Sequence, residues 1–185
     1  GSFRLDFSAK LQDAGLELPP LQCVGFEMTL PETVTKAAWF GLGPGEAYSD
    51  SKEAQKVGYY KLPVEALSTN YTYPQENGNR HEVRRAAFYD DKMCGILVSG
   101  APLFDFSAHH YTAEALEEAK HPHEIEYCDE VVLNLNWKSA PLGSNSCGPL
   151  PEDELLIKPG DFKFSMNFRG FAGAELDDKT FFTMI

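Results

Sequence analysis

The sequence predicts an all-β fold, an antiparallel β-sandwich with one short helix. Three observations predict it: apolar and polar side chains alternate with a period of two, Gly and Pro separate the alternating runs, and aromatic residues are abundant. The chain has 13 Phe, 8 Tyr and 2 Trp among 185 residues, with 15 Gly and 12 Pro. Aromatic side chains favour strands, and Gly and Pro favour turns. At this length we expect a single domain.

Five runs of sequence carry the alternation expected of strands that turn one face towards a core. Their apolar positions are Phe3, Leu5, Phe7, Ala9 and Leu11; Val24, Phe26, Met28 and Leu30; Cys94, Ile96 and Val98; Val131, Leu133, Leu135 and Trp137; and Phe162, Phe164, Met166 and Phe168. Successive short strands joined by turns are typical of a sandwich.

One helix is predicted over residues 112–120. Thr112 is a suitable N-cap, Glu114 suits the positive N-terminal end, and Pro122 ends the helix. We therefore predict one domain over residues 3–171. Residues 1–2 (Gly-Ser) are interpreted as a cloning remnant and residues 172–185 as a C-terminal tail.

The charge and the cysteines exclude several classes of partner. The net charge is −12, whereas nucleic-acid binding depends on clustered Lys and Arg. No apolar stretch is long enough to span a membrane, so we expect neither nucleic acid nor a membrane as partner. The four cysteines match no zinc spacing. They leave the compartment open, with a reducing, cytoplasmic one favoured. Cys94 and Cys128 lie in strand-like runs, where we expect small buried side chains.

Two glycine-rich loops are predicted on this scaffold. Residues 39–46 include three glycines that permit a close backbone approach, and Pro44 stands where a dinucleotide-binding helix would begin, so a tight β-turn is expected. Residues 138–149 (KSAPLGSNSCGP) follow the strand that contains Asn134 and Asn136. Loops on a rigid β scaffold commonly carry binding sites.

Neither the carboxylates nor the histidines identify a catalytic or metal site. The chain has 28 Asp and Glu residues, so potential carboxylate pairs are too common to indicate a glycosidase centre. His121 and His123 could face the same way in an extended segment, but the sequence identifies no further ligand. His109 and His110 are interpreted as packing or surface residues. We predict no catalytic residue, no metal and no cofactor.

Side chains suited to sugar binding concentrate between residues 46 and 81. Aromatic faces combined with planar polar groups are what a sugar site requires. The residues of this kind are Tyr48, Tyr71, Tyr73, Glu76, Asn77, Arg80 and His81. Cys147, in the second loop, is either a ligand contact or an inert loop residue.

Four ordered blocks resemble the C-terminal domain of family 2 glycoside hydrolase β-galactosidases, the small-chain or domain 5-like β-sandwich. The first is WFGLGPGEAYSD at residues 39–50, and the second is YPQENGNR at residues 73–80. The third runs from Phe106 to His121. The fourth runs from Leu133 to Pro149 and is similar to a family block that ends in S-W-G-P. The resemblance as a whole covers about residues 3–170.

The resemblance implies a twisted antiparallel super-sandwich, galactose-mutarotase-like in shape, that packs against a catalytic barrel. It implies that the second loop, residues 138–149 (the late loop), helps form the aglycone side of the active site and contacts a galactoside or lactose-like carbohydrate. The expected sugar-contacting residues are Asn145, Ser146, Cys147, Glu76, Asn77, Arg80 and His81. Cys147 stands where the family usually has Trp, so a wider and less aromatic second-sugar site is expected.

The family's catalytic carboxylates belong to the barrel domain, which this sequence lacks, as it lacks the first part of the family's C-terminal domain. The chain alone is therefore predicted to be inactive, with the catalytic domain or subunit of a β-galactosidase as its partner. Asn136 also stands at a position where the family commonly has Asp. Two alternatives stay open: a stand-alone galactoside- or lactose-binding lectin, and a structural or oligomerisation module. Sheet edges left uncovered by the missing first part predict a homo-oligomer, such as a dimer, or strand pairing with another chain. The sequence fits both a fragment and a shorter natural protein.

Overall fold

A computed structural model describes residues 1–11, 18–143, 150–173 and 181 of the chain. Among them the elements are strands β1 (Ser2–Ala9), β2 (Cys23–Leu30), β3 (Lys36–Gly43), β4 (Lys56–Pro63), β5 (Arg80–Tyr89), β6 (Gly95–His109), helix α1 (Ala113–Glu118), β7 (Val131–Ser139) and β8 (Phe162–Phe171), with 3-10 turns at Lys52–Ala54, Val64–Leu67 and Pro122–Glu124. The all-β prediction is confirmed. Among the described residues, no helix is both long enough and apolar enough to cross a membrane.

Strand β6 organises the sheet. It is 15 residues long and pairs with β5 on one side. On its other side it pairs first with β8 and then with β7. The sheet therefore divides along β6 into a β8–β1 branch and a β7–β2 branch, while β5, β3 and β4 continue on the opposite side. All of these strand pairs are antiparallel.

Aromatic side chains join the two branches. Phe164 of β8 stacks on Trp137 of β7 with 5.7 Å between ring centroids, and it lies 5.4 Å from the ring of Phe26 on β2. Phe7 of β1 meets Phe26 edge-to-face at 5.9 Å. Offset and edge-to-face pairs of this kind add to the stabilisation from apolar burial. The branches thus share one core.

The core continues beneath β3, β5 and β6. Trp39, Phe88 and Phe106 are fully buried there. The ring of Phe106 meets Trp39 edge-on at 5.8 Å and Phe88 edge-on at 5.2 Å. The indole Nε1 of Trp39 donates to the carbonyl of Leu42 at 2.9 Å, so its polar atom is satisfied inside the core.

The alternation in the last run and the helix are confirmed. Phe164, Met166 and Phe168 of β8 are buried, whereas Lys163 and Asn167 are exposed and Ser165 is half-buried. The helix α1 lies within the predicted 112–120 segment, and Thr112 is its N-cap because its Oγ1 accepts from the amide of Ala115 at 3.2 Å. Phe3 differs, since 58% of it is exposed; it lies on β1, at the end of the sheet, where its ring stacks on Phe168.

The prediction of a tight turn at residues 39–46 is wrong. The stretch through Gly43 is the second half of β3, and the chain leaves the strand at the cis Gly43–Pro44 bond. Its glycines serve close packing instead. A Cβ on Gly41 would lie 2.8 Å from Val83 Cα, and a Cβ on Gly43 would lie 2.7 Å from the Tyr60 ring.

The prediction that Cys94 and Cys128 are buried in strands is also wrong. Cys94 is exposed in the turn between β5 and β6, where Asp90 Oδ1 accepts from the amides of Lys92 and Cys94 at 2.9 and 2.8 Å. A local Asp–backbone turn of this kind overrides strand alternation. Cys128 is half-buried and lies between the Pro122–Glu124 turn and β7.

Candidate functional site

A polar cluster lies where the segment after β3 meets the segment before β5, and Glu46 is at its centre. Its Oε2 accepts from the amide of Gly78 at 2.8 Å, and its Oε1 accepts from the hydroxyl of Tyr71. Gly78 has a φ of +75°, and a Cβ there would lie 2.7 Å from the ring of His109. The two sequence blocks at residues 39–50 and 73–80 are thus joined through one carboxylate, at a position that requires glycine.

Tyrosines surround the two glutamates of this cluster. Tyr48 is buried and donates to Glu76 Oε1 at 3.2 Å. Burial raises the pKa of both Tyr48 and Tyr71, the latter to about 12, with the neighbouring Glu46 adding to each effect. Glu76 is exposed as a residue, but the surroundings of its carboxyl group are partly desolvated, and this raises its pKa. The tyrosines remain protonated donors at neutral pH.

Asn77 is buried and fully engaged. Its Oδ1 accepts from the amide of Thr69 at 3.0 Å, and its Nδ2 donates to the carbonyl of Gln75 at 2.9 Å and to the hydroxyl of Tyr111 at 3.0 Å. An amide with these partners fixes the conformation of the 69–77 segment. Asn77 therefore shapes the site from beneath and has little hydrogen-bonding capacity left for a sugar.

His109 supports the same segment. Its Nδ1 lies 3.0 Å from Ser68 Oγ and its Nε2 lies 3.1 Å from the carbonyl oxygen of Asn77, while its ring stacks on Tyr111. Burial lowers its pKa to about 4, so the imidazole is neutral near pH 7. The interpretation of His109 as a packing residue is confirmed.

Arg80 lies below the cluster and is 2% exposed. Its Nη1 donates to the carbonyls of Gly78 at 2.7 Å and Leu67 at 3.3 Å, and its guanidinium lies 5.2 Å from the Trp39 ring centroid. Burial lowers its pKa to about 10, which leaves it charged at neutral pH. Arg80 holds the backbone that carries Gly78, and its burial keeps it from direct sugar contact in this conformation.

His81 belongs to a different pair. Its Nδ1 lies 2.8 Å from Oδ1 of the buried Asp105 on β6. The side chain of His81 is 19% exposed. The structure therefore brings Glu76, Asn77 and Arg80 into one region around Glu46, and gives the adjacent His81 a separate partner.

The late loop is hydrogen-bonded to Asp50, the last residue of the first sequence block. The amides of Leu142 and Gly143 donate to the two carboxylate oxygens of Asp50 at 3.2 and 2.8 Å. The predicted contact residues Asn145, Ser146 and Cys147 lie outside the described residues. Asn136, on the preceding strand β7, is half-buried and donates from Nδ2 to Ser139 Oγ at 3.3 Å.

A cavity of about 640 Å³ opens beside the cluster. Tyr71, Tyr111 and Tyr127 contribute aromatic surface, and Gln75 and Asp129 contribute polar groups. This volume lies within the range typical of small-molecule sites. Tyr111 lies in the third sequence block but was not identified as a site residue, and Tyr127 and Asp129 follow β6 without periodicity, so the sequence did not indicate them. It is the hydrogen bond from the Cys128 amide to the His110 carbonyl, at 2.8 Å, that brings their segments together.

Sequence comparison identifies the family of the chain. Residues 2–168 match the family model described as the β-galactosidase small chain. The structure is thus that of an all-β domain from a glycosidase family. The chain belongs to the β-galactosidase small-chain family, and the resemblance carried by its sequence blocks is confirmed.

Individual relatives are much longer than this chain. The chain is 33% identical over 147 residues to a β-galactosidase of Actinobacillus pleuropneumoniae, covering 80% of the chain and 14% of the relative. It is 30% identical over 172 residues to one of Pseudoalteromonas haloplanktis, covering 92% and 16%. For one of Halalkalibacterium halodurans the identity is 31% over 172 residues, covering 90% and 17%. The chain thus corresponds to a small part of these proteins.

Proposed function

We propose that this chain is the carbohydrate-contacting domain of a β-galactosidase and completes the aglycone side of an active site supplied by a catalytic domain or subunit. The observation that carries the proposal is the attachment of the late loop to Asp50. This contact joins the first family block to the fourth, across a sequence separation of 93 residues. A loop that a carboxylate holds at residues 142–143 is suited to presenting the side chains that follow these residues.

The role assigned to the chain is binding and orientation. Two of its block carboxylates hold backbone amides: Glu46 binds Gly78, and Asp50 binds Leu142 and Gly143. A carboxylate engaged in this way positions loops, and the general acid and nucleophile of glycoside hydrolysis need freely reacting carboxyl groups. We therefore assign those two groups to the partner. The second sugar would contact Asn145, Ser146 and Cys147.

The test is Asp50→Asn in the β-galactosidase that contains this chain. Asparagine keeps the size but loses the charge and one acceptor. We expect KM for lactose to rise about fivefold, as the loss of about 1 kcal/mol of loop attachment implies. KM for a nitrophenyl galactoside should rise less, because this substrate lacks the second sugar.

The control is Asp91→Asn. Asp91 pairs with Lys36 and its side chain is 82% exposed, so both KM values should stay at the wild-type level. Equal KM changes for lactose and the nitrophenyl galactoside in Asp50→Asn would contradict the proposed contact with the second sugar. Turnover of the nitrophenyl galactoside by the 185-residue chain alone would contradict the division of roles.

The cavity favours a second candidate function, a stand-alone galactoside- or lactose-binding lectin. Its three tyrosines and neighbouring polar groups are of the kind that sugars contact. Titration of lactose and galactose into the purified chain separates the two functions. A sub-millimolar dissociation constant supports the lectin, and absence of binding supports the domain that depends on a catalytic partner.

The ends of the sheet favour a third candidate, a structural or oligomerisation module. Among the described strands, β1, β2 and β4 each have one neighbour. Phe3 on β1 and Val57 on β4 are 58% and 49% exposed. Such edges accept another strand. A dimer by light scattering supports this function, and a strictly monomeric profile contradicts it. Unchanged lactose handling by Cys147→Ala and Asn145→Ala in the parent assembly would also support it.

A further inference from the structure

We propose that His121, His123 and Glu124 form a binding site for a transition-metal cation such as Zn²⁺. The site lies on the connection between α1 and β7. Each residue offers one ligand atom, and the three atoms lie within 4.8 Å of one another. The inference is independent of the sugar-contacting role.

The backbone of this connection directs the two imidazoles to the same side. Pro122 begins a 3-10 turn that ends at Glu124, and His121 precedes it in an extended conformation. The His121 and His123 rings lie with 5.5 Å between centroids and 22° between planes. The two histidines thus lie on the same side, as the sequence allowed, although the segment forms a turn and is not extended throughout. The turn also brings in Glu124, a ligand that the sequence did not identify.

The carboxylate of Glu124 is already oriented towards the histidines. Its Oε2 accepts from the amides of Lys120 at 2.8 Å and His121 at 3.0 Å. Its Oε1 lies 3.3 Å from His121 Nδ1. Ligating carboxylates are commonly held in place by such hydrogen bonds, which reduce the cost of arranging the ligands.

The separation between His121 and Glu124 fits a shared metal ion. Two ligands about 2.0–2.1 Å from a tetrahedral zinc lie about 3.4 Å apart. The observed 3.3 Å between His121 Nδ1 and Glu124 Oε1 is close to that value. A cation can therefore replace the existing contact with little movement of His121 or Glu124. The ligand atom of His123 lies within 4.8 Å of the other two, and the ring would move closer to supply the third ligand.

The ligand set selects the class of cation. Two imidazoles and a carboxylate suit Zn²⁺, Ni²⁺ and Cu²⁺, whereas Ca²⁺ and Mg²⁺ take oxygen ligands. The side chains of His121 and Glu124 are 62% and 43% exposed, so the ion would exchange readily with solvent. Three protein ligands also leave a coordination position for water.

The experiment is calorimetric titration of tag-free chain with NiCl₂ and ZnCl₂ in excess Mg²⁺, after alkylation of the thiols. Alkylation is needed because Cys23 and Cys94 are exposed and could bind zinc themselves. We expect one saturable site per chain. His123→Gln and Glu124→Gln should each weaken binding at least about tenfold.

Glu126→Gln is the matched control, because Glu126 is an exposed carboxylate two residues beyond Glu124. It should bind as the wild type does, and circular dichroism should show all variants folded. Equal affinity of wild type and His123→Gln would overturn the proposal. So would binding that disappears when the thiols are alkylated, or the absence of saturable binding.

Discussion

At the scale of single residues, the polar cluster depends on a glycine. We expect Gly78→Ala to lower the free energy of unfolding by about 2–3 kcal/mol, because positive φ and crowding add together. The new Cβ would lie 2.7 Å from His109 and 2.8 Å from the Leu67 carbonyl oxygen. Urea unfolding measures the change.

Gly173 is the matched control. Its φ is +62°, but a Cβ there meets nothing within 4 Å. Gly173→Ala should therefore cost only the conformational part, about 1 kcal/mol. Equal destabilisation of the two variants would show that the close approach of Gly78 to His109 does not contribute.

His109 makes stability depend on pH. Its folded-state pKa is about 4, below its ordinary 6.5, because burial disfavours the imidazolium. The unfolded chain therefore binds the proton first as pH falls, and stability is lost between about pH 6.5 and 4. At pH 4.5 the loss from this group is about 2.5 kcal/mol.

The measurement is urea unfolding at pH 7 and pH 4.5 for wild type and His109→Gln. Glutamine does not titrate, so the variant should be less stable than wild type at pH 7 but lose less on acidification. Identical pH dependence in both proteins would argue against a buried neutral imidazole at this position.

At the scale of elements, the contact between the two branches should be a major source of stability. Phe164 of β8 is 5% exposed and contacts Trp137, Phe26 and Phe7. We expect Phe164→Ala to cost about 3–5 kcal/mol. Phe3→Ala on the edge strand should cost less than about 1.5 kcal/mol, since Phe3 is 58% exposed. Denaturant midpoints with a constant m-value compare them.

The elements that sequence predicts well are those with a strong local pattern. β8 alternates because one face is exposed, and α1 has its Thr112 cap. β3 lacks alternation because Ala37, Ala38 and Trp39 are consecutive and all buried. Its glycines then suggested a turn, although their small size serves contacts with neighbouring strands. A strand buried on both faces gives no period-two signal.

The same reasoning explains the candidate site. The resemblance drew attention to Asn77 and Arg80, but sequence has no means of showing that both are buried and occupied with backbone groups. Nor does it reveal that Asp50 reaches Gly143, because local patterns carry no information on distant contacts. The sequence thus predicted which residue types belong to the candidate site. It did not predict which of them position the backbone and which are free to contact a ligand.

At the scale of the whole molecule, the polar cluster, the cavity and the proposed metal site are adjacent. Pro122, Ile125 and Tyr127 line the cavity, and Pro122 lies between the two histidines of the proposed metal site. A cation bound at that turn would stiffen one wall of the cavity. Sugar titrations with and without Ni²⁺ would then show a difference only if the lectin function is present.

The division of the sheet along β6 has a consequence for how the molecule opens. β6 is paired on both sides at residues 95–99, where it lies between β5 and β8, and at Phe106, where it lies between β5 and β7. Neither branch can separate without exposing amides of this strand, so the backbone amides at these positions should exchange with deuterium only in global opening. The edge strands β1, β2 and β4 can fray alone and should exchange through smaller fluctuations. One strand thereby makes the two branches a single cooperative unit.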